Sequence, residues 1–193
     1  MTVELNSDWI ESLSSHDAQV RANSAKQIYS AGRALAEPAV HRWLEHRELR
    51  ELLGEEVFAT VGLAVTSEMF AKIREANGWP RLAEVPAEQD AVEFELQFEG
   101  NIALDVLTSR EPNGSGAIAK FLSKLGQGVQ QVEFRCSNVD RASAILDAHY
   151  GVKAVYPETR LGADGTRVNF FLVAGPDGKK VLIELYEPPL IRF

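Results

Sequence analysis

From Val57 onward the apolar residues stop recurring at helical spacing and fall into short alternating strands, and the order strand, helix, strands runs twice. A unit repeated in this way has two half-sheets to bury, and setting them side by side with their helices behind makes one curved sheet. In the first pass Val57 to Val65 reads as a strand and Thr66 to Asn77 as an amphipathic helix with Met69, Phe70 and Ile73 inward. Strands follow at about 91–98 and 102–108, joined by Gly100-Asn101, a pair suited to a tight hairpin. A connecting helix, Ala117 to Leu125, carries Ile118, Phe121 and Leu122 and stops at Gly126. The second pass runs through a strand at Val129 to Cys136, a helix at Val139 to Tyr150, and strands near Val152 to Tyr156, Arg167 to Val173 and Lys180 to Glu187, with a turn around Pro176-Asp177-Gly178. The expected fold is α+β: two βαβββ modules, about 55–110 and 127–187, forming a curved eight-stranded cup.

Residues 1–54 carry helical spacing only, and the pattern predicts an α-helical N-terminal extension ahead of a domain spanning 55–193. Ser7 is a candidate cap for a helix with Trp9, Ile10 and Leu13, and Ser15 for a second with Val20, Ala25, Ile28 and Tyr29. Pro38 suits the first turn of a third, which ends at Gly54 after a stripe through Val40, Trp43, Leu49 and Leu53. The segment around Asp17 to Gly32 has the look of one HEAT-type repeat, which cannot stand as a solenoid alone. A helical cap on the main domain or on a partner subunit is the plainer expectation, and a protein-binding surface the other.

The formal net charge of −8 sets nucleic acid aside, because binding a phosphate backbone needs a basic face. No apolar run is long enough to span a membrane, and Met1 to Ile10 lacks the basic start and apolar centre of a signal peptide, so the expected location is cytoplasmic. Cys136 is the only cysteine and lies in an alternating strand, where a buried inert thiol is expected. Pro188 to Phe193 places apolar residues after the last strand, for burial on the N-terminal helices or on a second copy of the chain, a candidate homodimer.

Several segments, in order, carry a resemblance: Val61-Gly62-Leu63-Ala64-Val65, Val85-Pro86 with Glu88-Gln89, Gly100-Asn101, Ile118-Ala119-Lys120-Phe121-Leu122, Gly128-Val129-Gln130-Gln131-Val132 and Val181-Leu182-Ile183-Glu184-Leu185. Over residues 57–187 the chain resembles the vicinal oxygen chelate superfamily of glyoxalase I, extradiol dioxygenases and methylmalonyl-CoA epimerase, the epimerase above all. The resemblance implies a glyoxalase-like domain whose metal ligands come from the first and last strand of each module, at Thr60, Asp105, Gln131 and Glu184. Period-two alternation sets Thr60 with Gly62, Asp105 with Ala103, Gln131 with Glu133 and Arg135, and Glu184 with Leu182 on common faces, leaving Val132, Phe134 and Cys136 to pack under helices.

The family pattern has histidine where this chain has Thr60 and Gln131, and a hydroxyl or amide oxygen binds zinc, cobalt or iron weakly. If Asp105, Glu184 and Gln131 hold an ion, the oxygen donors favour magnesium, manganese or calcium over zinc; otherwise the site is empty. His16, His41, His46 and His149 all lie outside these strands. The resemblance further implies proton removal beside a thioester, with Glu184 as a base and Glu88 matching a family glutamate, although Asp90 replaces an expected glycine. Thr60 and Gln131 can donate hydrogen bonds to an oxyanion, while Asp105 and Glu184 can also pair with Arg135 or a cationic ligand, or one can stay neutral. Three readings stay open: a divergent cup holding a small organic ligand, an acyl-CoA among the candidates, with the histidine-metal site lost; an active isomerase or lyase with a hard cation or none; and a non-enzymatic interaction module acting through the N-terminal helices.

Overall fold

The computed structural model describes residues 6–54, 57–176 and 178–189. Three helices come first: α1 (Ser7–Ser12), α2 (Ala18–Glu45) and α3 (Arg47–Leu53). The caps fall one or two residues from the expected serines. Asn6 accepts from the Asp8 N–H and Asp17 from the Gln19 N–H, while Ser15 holds the Asp17 N–H outside the helix. Pro38 does not begin a helix; it lies inside the 28-residue α2. Its missing N–H leaves the Ala34 carbonyl without a helical donor. Pro38 is exposed, and Ala36, Val40 and Trp43 on the buried face hold the helix in place past the break.

The remaining elements are β1 (Ala59–Ala64), α4 (Ser67–Ala76), β2 (Val92–Phe98), β3 (Ile102–Thr108), α5 (Ala117–Leu125), β4 (Gly128–Arg135), α6 (Val139–Tyr150), β5 (Arg160–Leu161), β6 (Arg167–Ala174) and β7 (Lys180–Glu187). They form one curled sheet in the order β2-β3-β1-β4-β7-β6-β5. The first strands of the two modules, β1 and β4, pair antiparallel at the centre, and each takes the last strand of its own module, β3 or β7, as a parallel neighbour. The β2–β3 hairpin turns through Glu99, Gly100 (φ 80) and Asn101 (φ 59) between the paired Phe98 and Ile102, the last two of the three being left-handed.

The sheet has seven strands where eight were expected. Residues 78–90 reach the β2 edge through one backbone hydrogen bond, Ala83 N–H to the Glu93 carbonyl, because Pro80 and Pro86 cannot donate to a ladder. Val152 to Tyr156 is likewise reduced to a bridge between Ala154 and Phe171. There the Asn169 side chain takes over the pairing, accepting from the Tyr156 N–H and donating to its carbonyl.

Two apolar clusters lie behind the sheet. One joins α1, the first half of α2 and α4 to β1, β2 and β3; the other joins the second half of α2, α3 and α6 to β4, β6 and β7. Helix α2 thus spans both modules. It crosses β1 at Gly32, where an added Cβ would lie 2.5 Å from Val61 Cγ1, so only glycine permits the approach. Cys136 is fully buried, and burial pushes its thiol up to about 11, as expected of an inert packing residue. Among the described residues no helix is long and apolar enough to cross a membrane. Of the C-terminal apolar tail, residues 190–193 lie outside the described residues, as do residues 1–5, the 55–56 junction and Asp177.

Candidate functional site

Because Phe94, Leu96, Val132, Phe134, Ile183 and Leu185 turn to the helices, their strand neighbours turn the other way and floor the cup. Register then assembles two rows. Glu95 stands opposite Asp105, Asp105 beside Gly62, and Gly62 opposite Gln131. In the second row Thr60 stands opposite Glu133, Glu133 beside Glu184, and Glu184 opposite Phe170. Gly62 leaves room for the polar groups: a Cβ there would lie 2.5 Å from Gln131 Cγ and 3.2 Å from Glu133 Oε1.

The β1–β4 register shifts between Gly62 and Leu63, which makes Gln130 an extra residue on β4. Such a bulge re-aims side chains, and both Gln130 and Gln131 line the cavity, which strict alternation forbids. Gln130 Oε1 is buried there without a hydrogen-bond partner.

The cavity measures about 720 Å³, within the range of small-molecule sites. Its outer ends are strapped together. Arg81 donates to both carboxylate oxygens of Asp164 (3.1 and 2.5 Å), the Glu84 N–H donates to Asp164 Oδ1 at 2.9 Å, and Gln89 Nε2 donates to the Leu161 carbonyl at 2.7 Å. The strap ties the segment before β2 to the turn before β6, so the two edges of the sheet meet above the floor. Asp90 is structural. It accepts from Ser109 Oγ and from the Glu111 and Ala119 N–H groups, filling the place above Gly116 where α5 has no capping side chain of its own.

At the centre Gln131 Nε2 donates to Glu133 Oε1 at 3.0 Å and to Glu184 Oε2 at 2.7 Å. One amide therefore bridges two carboxylates that would otherwise repel. Asp105 is 9% exposed, lines the cavity, and has no hydrogen-bond or ion-pair partner among the described residues. Burial, reinforced by mutual repulsion, pushes Glu93 up to about 7 and Glu133 to about 8, the latter in spite of the Gln131 hydrogen bond, and holds Asp105 and Glu184 well above the ordinary carboxylate range. The site can store and exchange protons near neutrality.

The structure thus brings Thr60, Asp105, Gln131, Glu133 and Glu184 together on the floor, with Glu88 on the cavity's exposed rim. Arg135 stands apart: it is exposed at the end of β4 and does not line the cavity, so it is not the counter-charge its strand position suggested. Sequence reasoning missed Glu93 and Glu95. Both were legible as the polar face of the Val92–Phe98 alternation, and the Glu95–Asp105 register is what turns that face into the cup. His46 and His149 meet each other at 4.7 Å between ring centroids and do not line the cavity. Among the described residues no three histidine, cysteine, aspartate or glutamate side chains converge to hold a metal ion.

No protein-family model matches the chain, and no curated protein matches it by sequence. Solved structures do. Methylmalonyl-CoA epimerase from Mycobacterium tuberculosis aligns at 32% identity and a TM-score of 0.56, covering 71% of this chain and 90% of that one. A variant of the Streptomyces coelicolor epimerase in complex with 2-nitronate-propionyl-CoA aligns at 26% identity and 0.53, over 67% of this chain and 95% of that one. A methylmalonyl-CoA epimerase in complex with methylmalonyl-CoA and ammonium aligns at 26% identity and 0.53, over 69% and 94%.

Proposed function

As a member of the methylmalonyl-CoA epimerase family of the vicinal oxygen chelate fold, the chain, we propose, is a divergent cup that receives a small organic ligand without the family's histidine-held metal ion. The observation that carries this reading is the placement of Gln131. Its amide nitrogen is engaged by Glu133 and Glu184, so the residue standing for a ligating histidine donates hydrogen bonds to carboxylates. Thr60 offers only a hydroxyl, and the acids do not converge, so this donor set does not fit the ion. Asp105, Gln131, Glu133 and Thr60 are then the residues that meet the ligand. Relatives bind methylmalonyl-CoA or a propionyl-CoA analogue, which makes an acyl-CoA one ligand to try. A cytoplasmic location belongs to the same reading, in keeping with the lone buried Cys136.

Proton transfer is the second reading, favoured by the coupling of Glu133 to Glu184 through one amide beside the cavity. The two carboxylates share their protons through the amide, so that the ionised member takes a proton from an acidic C–H and the protonated member returns one, with Glu184 the base the family resemblance implies; Glu88 at the rim is the other candidate acid. Such a pair gives a rate gain of ~10²- to 10⁴-fold.

Restoring the family's side chains tests the metal-free reading. The double variant Thr60→His/Gln131→His is expected to gain stoichiometric zinc, measured by calorimetry, and wild type is expected to take up none. A double variant that binds zinc no better than wild type would show that the cup is not a degenerate form of the family site.

A further inference from the structure

We propose that the ligand of this cup is an organic cation, an ammonium or guanidinium group on an apolar body, with Asp105 as its counter-ion; the inference rests on the metal-free cup proposed above. The charge of the cavity is lopsided. Its lining holds eight carboxylates against two guanidinium groups, Arg81 and Arg160. Arg81 is engaged by Asp164 at the strap, and Arg160 lies over the Tyr156 ring, 3.6 Å from its centroid. On the floor, Glu93, Glu95, Asp105, Glu133 and Glu184 make no hydrogen bond or ion pair with a basic side chain among the described residues. Gln131 offers relief to Glu133 and Glu184 alone.

Asp105 is the sharper observation. A carboxylate about nine-tenths buried normally has a partner, because desolvation without one costs several times an ordinary hydrogen bond. This one opens on the cavity with none. A ligand N–H⁺ supplies what is missing, and a charge-assisted bond in a low-dielectric cup is stronger than a neutral one.

The rest of the cavity decides what carries the charge. Leu107, Ile118, Val168 and Leu182 give apolar walls, and Tyr156 and Phe170 meet edge to face at 6.0 Å between centroids. Arg160 already stacks on that aromatic wall, the contact a ligand cation would make. The volume of about 720 Å³ suits a molecule of many heavy atoms and is far too large for an inorganic ion. An acyl-CoA, with its anionic phosphates, would approach this floor against a field of its own sign.

The test is calorimetry on the full chain after chelator treatment, in low-salt buffer, with phenethylamine, agmatine and spermidine as probes. Phenethyl alcohol, hydrocinnamate and propionyl-CoA serve as uncharged and anionic comparators. At least one amine is expected to bind ~10-fold or more tightly than every comparator, with protons released on binding. Asp105→Asn is expected to weaken that amine by ~10-fold or more while leaving a cooperative thermal transition. Glu133→Gln provides a second variant if the first fails to fold. Amines that bind no better than the alcohol, or an affinity unchanged in both variants, would overturn the proposal. Propionyl-CoA binding better than every amine would also overturn it yet leave the metal-free cup standing, whereas a stoichiometric metal ion would remove the premise of both.

Discussion

Raising the pH from about 5 to about 9 is expected to destabilise this protein, the reverse of ordinary acid denaturation. The cause is the cup floor. In the unfolded chain Glu93 and Glu133 titrate near 4.5, whereas burial holds them at about 7 and about 8 in the fold, and Asp105 and Glu184 lie higher than their usual values too. Above pH 4.5 the native state therefore binds more protons than the unfolded state, and stability falls as pH rises until the floor acids have ionised. At ~1.4 kcal/mol per pKa unit, the Glu93 shift alone corresponds to a loss on the order of 3 kcal/mol. Asp140, held low by the Thr159 hydroxyl and by Arg167, and Asp164, held low by Arg81 and the Glu84 N–H, act in the opposite sense, but only below about pH 4. Urea unfolding at a series of pH values reads the slope, and Glu133→Gln should flatten it. Stability that is level or rising through this range would mean that a bound cation neutralises the floor in solution.

Trp43→Ala is expected to cost ~3–5 kcal/mol, a large part of a typical domain's stability. Trp43 is 2% exposed and meets Phe171 of β6 edge-on at 6.3 Å between centroids, which joins the second half of α2 to the back of the sheet. The same logic makes residues 6–54 an integral part of both cores behind the sheet. Removing them would uncover the faces that Ile10, Leu13, Ile28 and Leu49 now bury, and the remainder is expected to aggregate rather than fold. Chemical denaturation checks the single variant. A loss below ~1 kcal/mol would instead make the helices a loosely held cap, free to serve as a surface for a partner.

Local rules made much of this legible in the chain. Gly100-Asn101 announced its hairpin because few residue pairs adopt two left-handed conformations in a row, and α5 and α6 stop at Gly126 and Gly151 for a related reason. Period-two alternation put Thr60, Asp105, Gln131, Glu133 and Glu184 on shared faces before any register was known. What escaped depends on partners distant in the chain. Asp90 read only as the replacement of an expected glycine because the α5 terminus it caps begins 27 residues later, at Ala117. The Arg81–Asp164 strap joins residues 83 apart, and no spacing rule points from one to the other. Pro38 misled as a helix start because propensity is local, whereas the packing of Ala36, Val40 and Trp43 that carries α2 through it is tertiary. The bulge at Gln130 hid in the same way, since two adjacent glutamines on one strand read as one in and one out.

The most direct measurement of the central claim is metal analysis of the purified, chelator-treated protein, followed by titration with manganese, magnesium and zinc of wild type and of Asp105→Ala/Glu184→Ala. The expected result is no stoichiometric ion in either protein, with the same weak heat for both. A stoichiometric ion held by wild type and lost in the double variant would contradict the account and return the cup to metal-assisted chemistry.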